Sequence, residues 1–297
     1  MHYNYLIIGG GVAGVVAAET IRERVPMASI GILSNEIHPL YSRVLLPSYL
    51  KGKIPREKVF LRTLGDFTEK RIDLMLERSV RRVNAESKEV ILAGGPIFSY
   101  DKLLIASGGR VNDFSAGSTD ADVFFRLQTI DDADMLRASI SEIRSPLVVG
   151  ASFIGLEFLE IFYLNGISPT LLARGPHFFS EILDARGGEL MHENFTRHGI
   201  TAIYNDSPSA LERVDTGVTV TTHGLRQLRH DAVALCIGIT RNVDFLLNSG
   251  VIFSEKGIHV DEFLQTNYEG VYAAGDAAFY FDPLTASHRS VGNWTSA

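Results

Sequence analysis

Three glycines, Gly9, Gly11 and Gly14, stand between an apolar run and a helical-looking one in YNYLIIGGGVAGVVAAETI. That spacing suits bringing main-chain N–H groups up to a phosphate. The first glycine permits a tight turn, and the second lets the backbone approach a pyrophosphate. The third lets a helix pack close to a strand, with the helix N-terminus facing the negative charge. Asn35 and Glu36 follow the next apolar run, ASIGIL, where either side chain can hold the ribose hydroxyls of an adenosine. A second turn, Gly150, Ser152 and Gly155 in VVGASFIGLE, begins 141 residues after the first. There a serine takes the middle place, so the backbone can still come near a phosphate but with less room.

These groups need elements to hold them. The first segment reads as strand, turn and helix, with Glu19, Arg22 and Glu23 on the exposed helix face, and ASIGIL closes a βαβ unit. Ser145 to Arg174 repeats the same order. A repeat so widely spaced means two domains rather than a solenoid, whose period is ~20–50 residues. Between the units lie a strand-like VILAG, a turn at Gly94-Gly95-Pro96 and the strand KLLIASGG; a hairpin and the strand DAVALCIG follow from Thr219 to Gly238. The expected fold class is α/β, with two doubly wound Rossmann-like nucleotide-binding domains, the second inserted in the first. The expected boundaries are 1–116 with 242–297 for the first domain and 117–241 for the second.

Composition narrows the function. The 297 residues include 28 basic and 35 acidic side chains, a net charge of −7, with no run of lysine or arginine, which argues against a nucleic-acid partner. One cysteine, Cys236, excludes an internal disulfide, a CxxC redox pair, a cysteine zinc cage and a cysteine-held iron–sulfur cluster, and points to the cytoplasm. His192 and His198, six apart, fall on different helix faces, so no metal site is expected. Leu6 to Ile21 is interrupted by glycines and reads as buried structure rather than a signal peptide. Val148 to Ile167 carries Glu157, Glu160 and Asn165, so no membrane span is expected.

With these residues in place the chain resembles the two-dinucleotide-binding-domain flavoprotein reductases, the pyridine nucleotide–disulfide oxidoreductase superfamily. LLIASGG (Leu103 to Gly109, with Ser107 and Gly108) is similar to that family's ATG segment. CIGITRN, with Gly238, is similar to its GxxPN segment, and TNYEGVYAAGDAA, with Gly275 and Asp276, to its flavin-binding AxGD segment. HPLYSRVLLPSYLKGK (His38 to Lys53) resembles a loop of the rubredoxin and ferredoxin reductase branch and of nitrite reductase flavin modules. The matches cover the chain in order.

The resemblance implies FAD on the first turn and NAD(P)H on the second. It gives Asp276 the ribityl hydroxyls of the flavin, and Arg43 the FAD pyrophosphate, to which a guanidinium offers a fork of donors. Phe153 stands where relatives place an aromatic over the flavin, and Glu157 where they position the nicotinamide carboxamide. Ser42 to Tyr49 has no sulfur, so chemistry is expected at the flavin itself, with electrons leaving to a small carrier protein or fused reductase domain. Oxygen as acceptor, and a non-catalytic nucleotide sensor, are the alternative readings. Trp294 begins what relatives continue as a helix and an interface domain. The chain therefore reads as shortened, with weak FAD retention expected and a homodimer only if that part is present. Ala173 replaces the acid that NAD-specific sites place at the end of the strand, and Arg174 can meet a 2′-phosphate. No second arginine follows within His177 to Leu183, so the sequence implies tolerance of NADPH with at most a mild preference.

Overall fold

A computed structural model describes residues 1–114, 123–215 and 217–290. Trp294 and the expected boundary near residue 117 lie outside the described residues. The chain forms two compact units. The first comprises Met1–Ser42, Glu57–Arg110 and the described residues from Thr240 on; the second comprises Arg43–Arg56 and Val111–Ile239.

In the first unit, β1 (His2–Ile8), α1 (Val12–Arg24) and β2 (Ile30–Leu33) make the βαβ unit, followed by β3 (Asp73–Met75), β4 (Val80–Asn84), β5 (Glu89–Leu92) and β6 (Ile97–Ile105). The sheet runs β3-β2-β1-β6-β5-β4, and the late strand Val271–Ala273 adds to β6. β3, β2, β1, β6 and Val271–Ala273 are parallel, whereas β4, β5 and β6 form an antiparallel meander. Alternation along β1 explains its burial on both faces. Ile7 packs with Val15, Ala18, Ile30 and Ile32, the last two from β2, whereas Leu6 and Ile8 pack with Leu103, Ile105 and Val271. The register sets Ile8 and Ala273 on either side of Ile105. The Gly9 turn and the Ala274–Asp276 segment thus leave the same carboxyl edge, one strand apart.

The second unit repeats the pattern with β7 (Phe124–Phe125), α2 (Ile130–Ser139), β8 (Pro146–Val149), α3 (Phe153–Leu164), β9 (Thr170–Leu172), α4 (Ala185–Arg197) and β10 (Thr201–Ile203). β11 (Pro208–Val214), β12 (Gly217–Thr222), β13 (Gln227–His230) and β14 (Ala232–Leu235) follow. Its five-stranded parallel sheet runs β10-β9-β8-β14-β7, and β11-β12-β13 form a separate antiparallel sheet. Leu147, Val149, Leu172, Val233 and Leu235 meet Leu211, Val218 and Val220 of that second layer. Among the described residues no helix is long and apolar enough to cross a membrane.

Residues 43–56, which the sequence reading assigned to the first domain, pack with the second unit. The cause is polar. Tyr49 donates to Asp134 at 2.7 Å, Arg56 Nε donates to the same carboxylate at 2.8 Å, and Arg137 lies 4.9 Å from the Tyr49 ring centre. Asp134 and Arg137 both belong to α2, which opens on a capping box made by Thr129 and Asp132.

In the first unit α1 is tied to its neighbours by Glu19, whose carboxylate accepts from Arg62 at 2.8 and 3.0 Å and from Lys70 at 2.6 Å. The Arg62 hydrogen bond, helped by Lys70, outweighs burial and holds the Glu19 carboxyl below its ordinary range. Glu19→Gln is expected to cost about 1–2 kcal/mol at neutral pH. A carboxyl that titrates lower when folded stabilises above its unfolded value and loses that contribution as pH falls through its folded one. Denaturant unfolding of both proteins at pH 7 and pH 3 checks this: the gap should close at the lower pH.

Candidate functional site

At the first turn the physical constraint is a missing Cβ. Gly9 has φ +118°, and a Cβ built there would meet the Ala106 carbonyl oxygen at 2.1 Å; one on Gly14 would meet the Gly9 oxygen at 2.0 Å. A Cβ on Gly11, by contrast, meets nothing within 4 Å. Two glycines are therefore demanded by packing, Gly9 against the backbone beyond β6 and Gly14 against the turn itself, and the third leaves open space in front of the α1 N-terminus. That end has no side-chain cap and no acidic residue in its first turn, so its N–H groups face the opening uncompensated. An anionic diphosphate fits this place. At the end of β2, Asn35 is exposed and Glu36 half-buried, with Tyr41 donating its hydroxyl to the Glu36 carboxylate. One side of that carboxylate is thereby fixed in direction.

The second turn has the same build. Gly150 has φ +113°, and its Cβ would meet the Cys236 oxygen at 2.3 Å, as that of Gly155 would meet the Gly150 oxygen. Ser152 differs from Gly11 in having work inside the protein: its hydroxyl caps α3 by accepting from Gly155 N at 3.2 Å and donates to the Cys236 carbonyl at 3.3 Å. The first turn of α3 also lacks an acid. Phe153, the first residue of α3, is 66% exposed and leans on Phe179, ring centres 4.7 Å apart.

Glu157, one turn along α3, is not a bare carboxylate. Lys51 donates to it and, at 2.6 Å, to Glu160; the Lys51 side chain is only 7% exposed. Burial pulls the ammonium's pKa down, but the hydrogen bonds and charges of the two carboxylates outweigh it and hold it above the ordinary lysine value. Sequence reasoning missed Lys51, whose partners lie more than a hundred residues away. Its position in the quoted His38–Lys53 loop was the available signal.

The remaining expected residues fall into two groups. Ser107 and Gly108 form a clasp with Asn242. The Ser107 hydroxyl donates to the Asn242 carbonyl at 2.6 Å, Asn242 Nδ2 donates to the Ser107 carbonyl at 3.0 Å, and Asn242 N donates to the Gly108 carbonyl at 3.0 Å. Gly275, with φ +68°, and Asp276 follow Val271–Ala273 at the same carboxyl edge as Gly9. Gly238 belongs to the second unit, where its carbonyl accepts from Asn112 N. Arg43 also packs there and donates to the Gln128 carbonyl. Arg174 is exposed beside the buried Ala173 at the end of β9. His192 faces the Tyr204 ring and His198 the Tyr163 ring.

Residues 3–297 match the pyridine nucleotide-disulphide oxidoreductase family. The chain is 28% identical over 276 residues to the epsilon subunit of the NADH-dependent phenylglyoxylate dehydrogenase of Aromatoleum evansii, a match covering 93% of this chain and 65% of that subunit. It therefore spans slightly less than two thirds of that relative's length. It is 28% identical over 295 residues to the ferredoxin–NAD(+) reductase component of the anthranilate 1,2-dioxygenase system of Burkholderia cepacia, covering 99% of this chain and 72% of that one. In fold it matches the structure of a covalent putidaredoxin reductase–putidaredoxin complex with a TM-score of 0.92 at 24% identity, over 99% of this chain and 72% of the other.

The glycine geometry makes opposite predictions for two neighbours. Gly→Ala in a helix ordinarily stabilises by about 1 kcal/mol. Gly14→Ala should instead cost about 2–3 kcal/mol, because backbone must move. Gly11→Ala should change stability by less than about 0.5 kcal/mol. Thermal unfolding of the two ligand-free variants separates them; equal losses would refute the packing argument.

Proposed function

Because the chain belongs to the pyridine nucleotide-disulphide oxidoreductase family, we propose that it is an FAD-dependent NAD(P)H oxidoreductase that passes electrons to a small carrier protein of the rubredoxin or ferredoxin type, or to a fused reductase module. The observation that carries this reading is the pair of glycine turns of equal build, each opening on a helix N-terminus without an acidic residue. In this reading Gly9, Gly11 and Gly14 receive the FAD pyrophosphate, Glu36 with Asn35 the adenosine ribose, and Gly275 with Asp276 the ribityl chain. Ser107 and Gly108 support that edge through their clasp with Asn242. Arg43 is assigned to the pyrophosphate with part of its guanidinium already given to the Gln128 carbonyl.

The second turn, Gly150, Ser152 and Gly155, receives the nicotinamide nucleotide, with Gly238 on the neighbouring loop. Phe153 and Glu157 meet the nicotinamide end, Phe153 by its exposed ring and Glu157 by a carboxylate that Lys51 holds in place. The chemistry supplied by bound FAD is acceptance of a hydride from the reduced nicotinamide and onward release of the electrons. This chain's own task is to bind and orient. Its thiol takes no part: Cys236 is buried and burial pushes its pKa up, so no thiolate is offered. The proposed location is the cytoplasm, because a single cysteine gives no sign of an oxidising compartment.

Anaerobic mixing with NADH or NADPH tests the reading. The flavin absorbance should bleach, and added ferredoxin or rubredoxin should restore it faster than air does. Glu157→Gln should slow the bleaching by about tenfold while leaving bound FAD unchanged. No bleaching despite bound FAD would mean a nucleotide sensor, and reoxidation by air as fast as by any carrier would mean an oxidase.

A further inference from the structure

The end of β9 is where the sequence left the choice of nucleotide nearly even, for want of a second arginine in the loop that follows. The fold supplies one from elsewhere. Asp206, just beyond β10, donates its N–H to the Ala173 carbonyl at 3.2 Å, and Asn205 N donates to the Gly175 carbonyl at 3.0 Å, so the two strand ends run side by side. The turn between β12 and β13, His223 to Arg226, docks on the same place: His223 N donates to the Ser207 carbonyl at 2.9 Å, and Gly224 N donates to Asp206 Oδ1 at 2.9 Å. Arg226 Nε then lies 3.5 Å from Asp206 Oδ2. The Asp206 side chain is 5% exposed, whereas that of Arg226 is 59% exposed. Leu225 beside it is 87% exposed, in the left-handed region at φ +61°.

We infer that Arg226, with Arg174, forms a 2′-phosphate site at the joined ends of β9 and β10, so that this chain selects the 2′-phosphorylated nucleotide, NADPH, over NADH. The inference rests on the assignment of the second turn to the nicotinamide nucleotide. In an open parallel sheet the ligand lies outside the carboxyl ends of the strands, with the pyrophosphate on the glycine turn and the adenosine ribose over the end of the next strand. The pyrophosphate place is the end of β8, and the ribose place is Ala173. A carboxylate there would take both ribose hydroxyls and repel a phosphate; Ala173 does neither. Arg174 is exposed and makes no hydrogen bond or ion pair among the described residues.

Asp206 is a buried acid at this edge, and its charge is met inside the protein. It accepts from Ser207 N and Gly224 N at 2.9 Å and faces Arg226. Its role is to aim the turn rather than to meet the ribose. The arginine stays largely in solvent, where its remaining N–H groups can meet a doubly charged phosphate in fork geometry. Leu225 gives the adenine an apolar neighbour.

Calorimetric titration of the flavin-loaded chain with 2′,5′-ADP and with 5′-AMP reads the site without turnover. The phosphorylated ligand should bind at least about tenfold tighter. Arg174→Ala and Arg226→Gln should each cut that ratio by about fivefold to tenfold while 5′-AMP affinity stays the same, and Arg226→Lys should retain part of the ratio. Should Arg226→Gln fail to fold, Arg226→Lys and Arg174→Ala still decide the matter. Equal binding of the two ligands, or a ratio that none of the variants moves, would overturn the inference and leave the proposed reductase standing. Binding of neither would overturn it together with the assignment of the second turn.

Discussion

A carbonyl oxygen lying where a side chain would begin is the constraint from which both halves of this protein follow. At each glycine turn the helix comes so close to the chain that a residue in its first turn can carry no Cβ, and the residue just after the strand takes a positive φ. Those two conditions set the distance between sheet and helix, and that distance fixes where the helix N-terminus points. Three other helices close their own ends with side chains. Thr63 with Asp66, Thr129 with Asp132, and Asp184 all place side-chain oxygens on the first free N–H groups. Among the described helices of ten residues or more, α1 and α3 have no acid at the N-cap or in the first turn, and α1 has no side-chain cap at all. A positive end kept open at the carboxyl edge of a parallel sheet is a place for an anion; α1 offers one, and α3 offers one with a single N–H taken by the neutral Ser152 hydroxyl.

The second organising interaction is the clamp on residues 43–56. A lysine buried to the degree of Lys51 is costly unless paired, and the pairing here uses two carboxylates of α3, one of which also faces Lys53 at 3.9 Å. Removing either carboxylate leaves the other. Removing the lysine leaves two like charges one helical turn apart. Glu157 is therefore held in place by a partner that any ligand must share or displace, which gives the site a defined geometry at the expense of freedom. The Tyr49–Asp134–Arg56 contacts anchor the same segment to α2.

The order of strand, turn, helix and strand was legible in the sequence for both units because glycine spacing and apolar runs are local signals. The hairpin from Thr219 was legible for the same reason. What stayed hidden was non-local. The membership of residues 43–56 in the second unit depends on Asp134, Glu157 and Glu160, whose distance along the chain carries no pattern. Ser107 looked like a ligand of the cofactor from its motif, yet its hydroxyl is bonded to the Asn242 carbonyl, a pairing that only the return of the chain from the second unit creates. Ser152, read as a glycine substitute that narrows the phosphate site, turns its hydroxyl inward as a helix cap. Phe179 holds a left-handed backbone, costly for an aromatic residue, and the ring it presents supports Phe153.

Two copies of one βαβ device in one chain allow a comparison that a single domain would not. The turns are nearly superposable in their demands, so they cannot be what distinguishes one nucleotide from another. The difference lies at the end of the second strand of each unit. In the first, Glu36 is half-buried and its carboxylate is steadied by Tyr41, which suits the neutral hydroxyls proposed for it. In the second the corresponding position is an alanine, Asp206 is turned inward with Oδ1 taken by two backbone N–H groups, and the exposed Arg174 and Arg226 stand at this edge. In the proposed reading recognition lies away from the phosphate turn, where packing forbids change, at a strand end where a side chain can be exchanged without disturbing the core. The glycines are set by packing, and the proposed choice of nucleotide rests on exposed side chains at the strand end.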